Sequence, residues 1–297
     1  MTPKQSNLIA TLKDLVADAQ EVKVTRNRYG YQVEGERFRR VTTMLGGIPK
    51  PALVGWGIKS VAEYAIEHLD KWRDLPKKDA LKLLKGSPYS KRDQAGDRGT
   101  AVHNALEGAV LGKPLPEDLT EEEHAFASNA IAFLNKRKSE QGAQVLASEM
   151  IVFNRTHGYC GTLDLWDMTA DGTPWILDYK TSTGVYPDHA VQQVAYQRAE
   201  FAIVQMKQVQ ANGKNEAWEG KVIPWSQEYC QRLGIVHVGA DHATLHEVAD
   251  PDRLWNVFRA SCHIKDWQLA TDSFAGKTPR EQTYLEPITL EKGDDNE

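Results

Sequence analysis

Apolar and polar residues alternate along this chain with two different periods, which separate predicted helices from predicted strands. In the first half, apolar side chains recur every three or four positions, which is the spacing of one helix face. This spacing predicts helices over residues 6 to 20, 53 to 69, 98 to 111 and 120 to 138. Thr120 and Glu123 form a capping-box pattern for the last of these, and Asp97 is a candidate N-cap for the helix before it.

Residues 22 to 43 contain short β-prone runs, separated by Tyr29-Gly30 and Glu34-Gly35, and are typical of a small β-meander. The arginines of this meander allow two interpretations. They either bind a phosphate backbone or lie on an exposed hairpin without a ligand: Arg26, Arg28, Arg37, Arg39 and Arg40. A second basic group surrounds Gly86 and Pro88 and fits either a loop beside a cleft or a solvated helix face: Lys77, Lys78, Lys82, Lys85, Lys91 and Arg92.

The second half of the chain contains period-two alternation, the signal of β-strands. It predicts strands over residues 145 to 153, 161 to 168, 173 to 180 and 234 to 238. Helices are predicted over residues 188 to 208 and 251 to 269. The three consecutive strands are expected to be antiparallel neighbours, because their connections are too short for a parallel crossover. This order predicts an α/β fold with a mixed central sheet.

The second and third of these strands form a hairpin that carries charged side chains. Asp178 and Lys180 are two residues apart, so both project from the same face of their strand. A two-residue turn at Asp171-Gly172 would place Asp164 on the opposite face. We therefore expect an odd-length loop or a bulge within residues 169 to 173, in which Gly172 adopts a positive φ and Asp164 joins Asp178.

Composition is ordinary for a globular protein, with 41% hydrophobic and 26% charged residues in a chain of 297. No apolar run of about 18 residues and no signal-peptide core is present, so we expect a cytoplasmic protein without a membrane partner. The three cysteines lack metal-pair spacing, which fits a reducing compartment: Cys160, Cys230 and Cys262.

Charge is unevenly distributed along the chain. The net charge is −5, but residues 21 to 98 contain 17 basic and 10 acidic residues, a net +7. Residues 1 to 20 are balanced, so the remainder carries −12. A basic N-terminal third is suited to phosphates, although a solvated charged surface explains such an asymmetry equally well.

Two carboxylates that converge on one strand face repel each other unless a cation lies between them. A hard divalent ion such as Mg²⁺ or Mn²⁺ is suited to oxygen ligands, and it can neutralise charge in phosphoryl transfer. An ammonium group at Lys180 is able to orient an attacking water or stabilise a pentacovalent phosphate. These parts suit phosphodiester hydrolysis, although an acid and a lysine at this spacing also occur by chance on exposed strands.

Several further features lie around the hairpin in a definite order. Arg98-Gly99 and His103 precede it on a helix, and Glu149 lies on the preceding strand. The hairpin supplies Gly161-Thr162-Leu163-Asp164 and Asp178-Tyr179-Lys180-Thr181, and Gln192 and Tyr196 follow four residues apart on a helix. Over residues 95 to 210 this pattern resembles the RecB-type branch of the PD-(D/E)XK nuclease superfamily.

The resemblance implies a role for each matching residue. His103, Asp164 and Asp178 would bind the metal, together with the backbone carbonyl of Tyr179, and Lys180 would be the catalytic lysine. Glu149 would be a further catalytic acid that holds a second metal, a water or a neighbouring base. Contacts with DNA would come from Arg98, Thr181, Ser182, Thr183, Gln192 and Tyr196.

The resemblance also implies a restriction-endonuclease-like core, with a mixed central sheet flanked by helices. We expect this core at residues 95 to 270, a basic N-terminal β/α extension at 1 to 94 and a loosely held tail at 271 to 297. Three scattered cysteines cannot ligate the iron–sulfur cluster of some relatives, so no cluster is expected. No P-loop pattern is present, so a helicase would be a separate partner.

The leading hypothesis is a metal-dependent DNA exonuclease of phage or bacterial type, acting on single- or double-stranded ends in DNA processing or recombination. A single-strand annealing protein is a second candidate partner. The alternatives are an endonuclease of the same fold and a catalytically silent DNA-binding or assembly protein. A zinc module at His237, His242 and His246 is a weaker alternative, because it lacks a convincing third and fourth ligand.

Overall fold

The computed structural model describes residues 1 to 27, 30 to 212 and 215 to 271. The helices in these ranges are α1 (Pro3–Ala17), α2 (Val41–Met44), α3 (Pro51–Glu67), α4 (Leu69–Trp72), α5 (Lys77–Val110), α6 (Glu121–Gln141), α7 (Pro187–Gln197) and α8 (Pro251–Thr271). The strands are β1 (Gln20–Asn27), β2 (Gly30–Val33), β3 (Glu36–Arg40), β4 (Gln144–Asn154), β5 (Tyr159–Met168), β6 (Pro174–Lys180), β7 (Phe201–Asn212), β8 (Asn215–Pro224), β9 (Arg232–Val238) and β10 (Ala243–Glu247).

Local sequence signals account for many of these elements. The predicted meander is confirmed as β1, β2 and β3, and the helices predicted at 6 to 20, 53 to 69 and 251 to 269 correspond to α1, α3 and α8. Helix α6 begins with the predicted capping box, in which Thr120 and Glu123 bond each other's backbone amides, and it ends at Gly142 in the left-handed region. Strand β4 and the antiparallel pairing of β4, β5 and β6 are also confirmed.

Helix α5 begins some twenty residues earlier than the sequence predicts. The predicted start at Asp97 and the loop interpretation of residues 77 to 92 are both wrong, because the helix runs unbroken from Lys77 through Pro88. Its first half packs against α3, which buries Ser87 and partly covers Leu84. This packing stabilises a helix that Gly86 and Pro88 disfavour locally.

The helix predicted over residues 188 to 208 is wrong in its second half. Helix α7 ends at Gln197, and strand β7 begins at Phe201. Phe201, Ala202 and Ile203 pair with both β4 and β8. Ala202 and Ile203 are fully buried between these strands, so tertiary pairing outweighs the local helical pattern.

The predicted mixed sheet is confirmed, but it closes on itself and is not an open restriction-endonuclease-like sheet. Seven strands close into a ring in the order β5, β3, β2, β1, β8, β7, β4 and back to β5. The ring closes because the two edges of β5 pair differently: one edge pairs with β4, and the other pairs with β3 at Tyr159 and Cys160 and with β6 from Leu165 onward. Strands β9 and β10 extend the sheet beyond β6, and β6 and β9 are parallel.

Three apolar clusters hold these layers together. One lies within the ring and includes Val24, Phe38 and Phe153. The second joins α7 and α8 to one side of the sheet, and the third joins α5 and α6 to the other. Strands β5, β6 and β9 are therefore covered by helices on both faces, which buries the middle of the sheet.

The predicted division into domains stays a prediction, and two features of the structure bear on its boundary at residue 94. The boundary between residues 94 and 95 falls inside α5, and β1 to β3 belong to the same closed ring as β4, β5, β7 and β8. The N-terminal residues therefore share hydrogen-bonded sheet with the predicted core. Residues 272 to 297 of the predicted tail lie outside the described residues.

Candidate metal centre

The hairpin between β5 and β6 has the register that the sequence analysis required. Leu165 pairs with Leu177, so the same register carried one residue further sets Asp164 across from Asp178. Thr169 donates its backbone N–H to the carbonyl of Thr173 at 3.0 Å, which leaves a three-residue loop at 170 to 172. Gly172 has a φ of 85°, as predicted. The odd loop length places both acids on one face of the hairpin.

Glu149 reaches the same place from the other side of Asp164. On β4, Ser148 pairs with Leu165 and Met150 pairs with Leu163, so Glu149 stands opposite Asp164. Its φ of 50° lies in the left-handed region, which a residue with a side chain enters only at a cost of about 1 to 3 kcal/mol. Strain of this kind is typical of functional sites, where the surrounding structure holds a side chain in place.

His103 completes a compact group of metal-binding side chains. Val102 and Leu106, on the last turns of α5, pack into the apolar cluster between α5, α6 and the sheet. This packing holds His103 next to Asp164 and Glu149. Its Nδ1 lies 3.5 Å from an oxygen of Asp164 and 3.8 Å from an oxygen of Glu149. One ligand atom from each of these three residues lies within 4.8 Å of the other two. An imidazole and two carboxylates therefore share one site.

Asp178 lies beside this group and is bound by protein side chains. Its Oδ2 is 2.6 Å from Nζ of Lys180, and Gln192 donates from Nε2 to its Oδ1 at 3.1 Å. Gln192 also donates to the hydroxyl of Tyr196 at 3.0 Å, and the Tyr196 ring packs on Gly161, where a Cβ would approach within 2.5 Å. The predicted role of Asp178 as a metal ligand stays a prediction.

Tyr179 takes part through its backbone. Beyond Leu165 and Leu177 the two strands separate, and the Asp164 carboxylate accepts the backbone N–H of Tyr179 at 2.7 Å. The Tyr179 ring is buried in the apolar cluster under α5 and α6. The strand therefore fixes the orientation of Asp164, while the predicted ligation by the Tyr179 carbonyl stays a prediction.

The charges in the site perturb one another strongly. The Asp164 carboxylate is the main cause that raises the pKa of His103 to about 9, with Glu149 adding to it. Burial raises the pKa of Asp164 and of Asp178, against the opposing effect of His103 and Lys180. Burial alone would lower the pKa of Lys180, but the carboxylates of Asp178 and Asp164 raise it. Lys180 is therefore a cation at neutral pH.

The donor set fits a divalent cation. Glu149, Asp164 and Asp178 supply three carboxylates, whereas His103 and Lys180 supply at most two positive charges, and His103 is neutral when it binds a metal. Carboxylates suit Mg²⁺ and Mn²⁺, and an imidazole ligand favours the transition metal of the two. An external cation would remove the remaining negative charge.

The predicted DNA contacts have protein partners in the structure. The Arg98 guanidinium lies over the Phe126 ring and donates to Glu122 at 2.6 Å and to the carbonyl of Thr181 at 3.1 Å. Ser182 donates its hydroxyl to the carbonyl of Gly184 at 2.7 Å. Gln192 and Tyr196 are buried, and Gln192 donates both to Asp178 and to the Tyr196 hydroxyl. Their assignment to DNA contact stays a prediction.

An open groove leads to the metal-binding group. It has a volume of about 900 Å³ and runs between α5 and the strands of the ring, with His103, Glu149 and Asp164 in its wall. Arg26 lines it on β1, where its guanidinium lies over the Trp218 ring and pairs with Glu216. Trp218 was missed, because the sequence analysis predicted no strand at β8.

The other predicted arginines and histidines lie elsewhere. Arg39 pairs with Asp266, and Arg40 donates to the carbonyl of Asn27, while Arg28 lies outside the described residues. Within the described ranges, His237, His242 and His246 do not form a group of metal-binding atoms, although the ring centres of His237 and His246 lie 6.4 Å apart. His237 instead bonds the carbonyl of Ser182 through Nε2 at 2.8 Å.

Comparison of the chain with protein-family models and with curated proteins finds no match. Of the helices that the structure describes, none combines the length and apolar character needed to cross a bilayer.

Proposed function

We propose that this protein is a metal-dependent DNA nuclease of the PD-(D/E)XK type. The observation that carries the proposal is the convergence of His103, Glu149 and Asp164 within 4.8 Å, next to the Asp178–Lys180 ion pair. These residues come from four separate elements, α5, β4, β5 and β6, and three of them, His103, Glu149 and Asp164, line one groove. A chance surface cluster would not combine metal-binding side chains, a partly buried lysine and an open approach.

The fold supports the same proposal at a finer level. Antiparallel β4, β5 and β6, followed by α7 and by β9 parallel to β6, form a mixed sheet with helices on both faces. We propose that this part is a restriction-endonuclease-like core. The strands that close the ring are then an addition to that core, and they form the second wall of the groove.

Each side chain then has a defined task. A bound divalent ion would be held by His103, Glu149 and Asp164, and would neutralise charge on the scissile phosphate. Lys180 supplies an ammonium next to the reacting phosphate, where it donates to the attacking water or to a phosphate oxygen. Gln192 orients the Asp178 carboxylate, which in turn positions Lys180.

Within this class we propose an exonuclease acting on linear DNA ends, with an endonuclease as the alternative. The test compares end-labelled linear duplex, closed circular duplex and single-stranded DNA in Mg²⁺, Mn²⁺ or EDTA. We expect loss of linear DNA, dependence on metal and no loss of circular DNA. Cleavage of the circle would favour the endonuclease.

The matched variants are Lys180→Ala and Lys136→Ala, the latter an exposed lysine on α6. Lys180→Ala is expected to lower the rate by about 10²- to 10⁴-fold, the range for loss of a positioned proton donor. Lys136→Ala should cleave at the wild-type rate. Full activity of Lys180→Ala, or full activity in EDTA, would remove the proposed mechanism.

A further inference from the structure

A row of exposed side chains runs along α5 towards the candidate metal centre. We call it the α5 stripe, and its members recur every three or four residues on one helix face: Lys78, Lys82, Lys85, Tyr89 and Arg92. Continued at the same spacing, this face reaches Gly96, Gly99 and His103. Those three residues line the groove, so the stripe and the groove wall are one continuous helix face.

The α5 stripe faces away from the body of the protein. The opposite face of the helix packs towards α3, and it carries Ala80, Leu84 and Ser87, which are partly or fully buried. Lys91 also lies on that side, where its Nζ is 3.1 Å from Glu63 on α3. The helix therefore uses one face for packing and presents the other along most of its length.

Among the residues that the structure describes, the lysines of the stripe lack the acidic partner that Lys59 and Lys91 have. Lys59 and Lys91 both pair with Glu63, and Arg92 pairs with Asp93 while lying 5.1 Å from the centre of the Tyr89 ring. Within the described part of the chain, no ion pair is found for Lys78, Lys82 or Lys85. Three unpaired ammonium groups in a row suit a row of phosphates.

Glycines mark the point where the stripe enters the groove. A Cβ at Gly96 would meet nothing within 4 Å, and one at Gly99 would meet only Thr181 Oγ1 at 3.5 Å. Glycine inside a helix costs about 1 kcal/mol relative to alanine, and packing within this chain does not require it at these positions. The bare helix surface allows another backbone to approach closely beside His103.

We propose that the α5 stripe is a contact surface for the DNA backbone, which guides the strand into the groove towards the metal centre. The inference rests on the proposed nuclease function. Lys78 and His103 are 25 residues apart on one helix, a rise of about 38 Å. At 3.4 Å per base pair, this length corresponds to about 11 base pairs of duplex. Only DNA longer than the groove itself would use the stripe.

The test uses the full chain and two fluorescent hairpin duplexes of about 6 and about 30 base pairs, lengths chosen from that span. The stripe variant is Lys78→Glu/Lys82→Glu/Lys85→Glu. The control has the same charge change at exposed positions elsewhere, Lys13→Glu/Lys136→Glu/Lys138→Glu. Thermal melting checks that both fold. Binding is measured in EDTA over a range of salt concentrations, and cleavage in Mn²⁺ separately.

On the long hairpin, the slope of log K against log salt should become less steep by about 2 to 3 in the stripe variant, close to 0.9 for each lost phosphate contact. The preference for the long hairpin over the short one should fall, and Lys78→Arg/Lys82→Arg/Lys85→Arg should restore both. Equal slopes in the stripe and control variants would overturn the inference. The inference would also be overturned if the stripe variant lost binding to polyglutamate while its salt slope for DNA stayed equal to that of the wild type.

Failure of the proposed function gives a different result. A stripe-dependent salt slope with no cleavage by the wild type in Mg²⁺ or Mn²⁺ would remove the nuclease and support the stripe as a DNA surface. Metal-dependent cleavage with equal slopes would support the nuclease and overturn the stripe.

Discussion

Asp164 and Asp167 are three residues apart on β5, and their surroundings are opposite. Asp167 is fully buried and accepts two hydrogen bonds from Arg137, from Nε at 2.6 Å and from Nη2 at 2.9 Å. Asp164 instead faces a second acid, Glu149, and a histidine. Burial raises the pKa of both carboxyl groups, but a single matched guanidinium opposes it at Asp167.

The balance of charge distinguishes a structural pair from a ligand site. The Arg137 guanidinium also bonds Gln141 at 2.7 Å and lies 4.7 Å from the centre of the Trp175 ring, so its donors are used within the protein. Around Asp164, three carboxylates face at most two cationic side chains, His103 and Lys180, so one negative charge is left without a counter-charge from the described part of the protein. A buried acid therefore indicates a ligand site when the protein supplies fewer positive charges than there are carboxylates around it.

The largest expected effect concerns the structural pair. Arg137→Leu leaves Asp167 buried without its partner and should lower the free energy of unfolding by about 3 to 5 kcal/mol. Urea denaturation measures it. Arg137→Leu/Asp167→Leu should be much less destabilised than the single variant, because no uncompensated charge stays buried. A single variant as stable as the wild type would contradict the comparison.

The second prediction concerns pH and the ligand site. The folded-state pKa of His103, about 9, exceeds its ordinary 6.5, so its stabilising effect is complete below pH 6.5 and is lost as pH rises through 9. The raised pKa of Asp164 also makes the free energy of unfolding fall as pH rises, beginning at a lower pH, above the ordinary pKa of an aspartate. Without metal, stability should fall by on the order of 2 kcal/mol between pH 6 and 9.5.

The control for this pH prediction is His103→Asn, measured by urea denaturation in EDTA at the same pH values. Its stability should vary less over the range from 6.5 to 9. An identical fall in wild type and variant would show that His103 does not interact with Asp164 as the distance of 3.5 Å implies.

A third, smaller effect comes from the backbone of the ligand site. Because Glu149 has a φ of 50°, Glu149→Gly should be more stable than Glu149→Ala by about 1 kcal/mol. An ordinary strand position gives the opposite order. Both variants lack the carboxylate, so under the proposed metal binding Mn²⁺ should raise the melting temperature of the wild type and of neither variant. Greater stability of the alanine variant would argue against the left-handed backbone.

The smallest effect is expected at an exposed pair on the same sheet. Arg232 and Glu247 form an ion pair between β9 and β10, with nearly half of each side chain exposed. Glu247→Gln should change the free energy of unfolding by no more than about 0.5 kcal/mol, because water screens such a pair. A loss near that of Arg137→Leu would mean that burial is not what separates the two pairs.

Local sequence determined the hairpin and the face that Asp164 shares with Asp178. The parity of the loop followed from the requirement that Asp164 share a face with Asp178, and Gly172 supplied the needed φ. These features depend on strand alternation and turn geometry, which act over a few residues.

Only the tertiary structure decided how distant segments combine. The ring closes because one edge of β5 pairs first with β3 and then with β6. No short-range sequence pattern predicts this change of partner. Residues 201 to 208 became strand through pairing with β4 and β8, and α5 became continuous through packing against α3. That continuity sets the α5 stripe on the same helix face as His103. Pairing and packing join residues far apart in sequence, so local propensity cannot determine them.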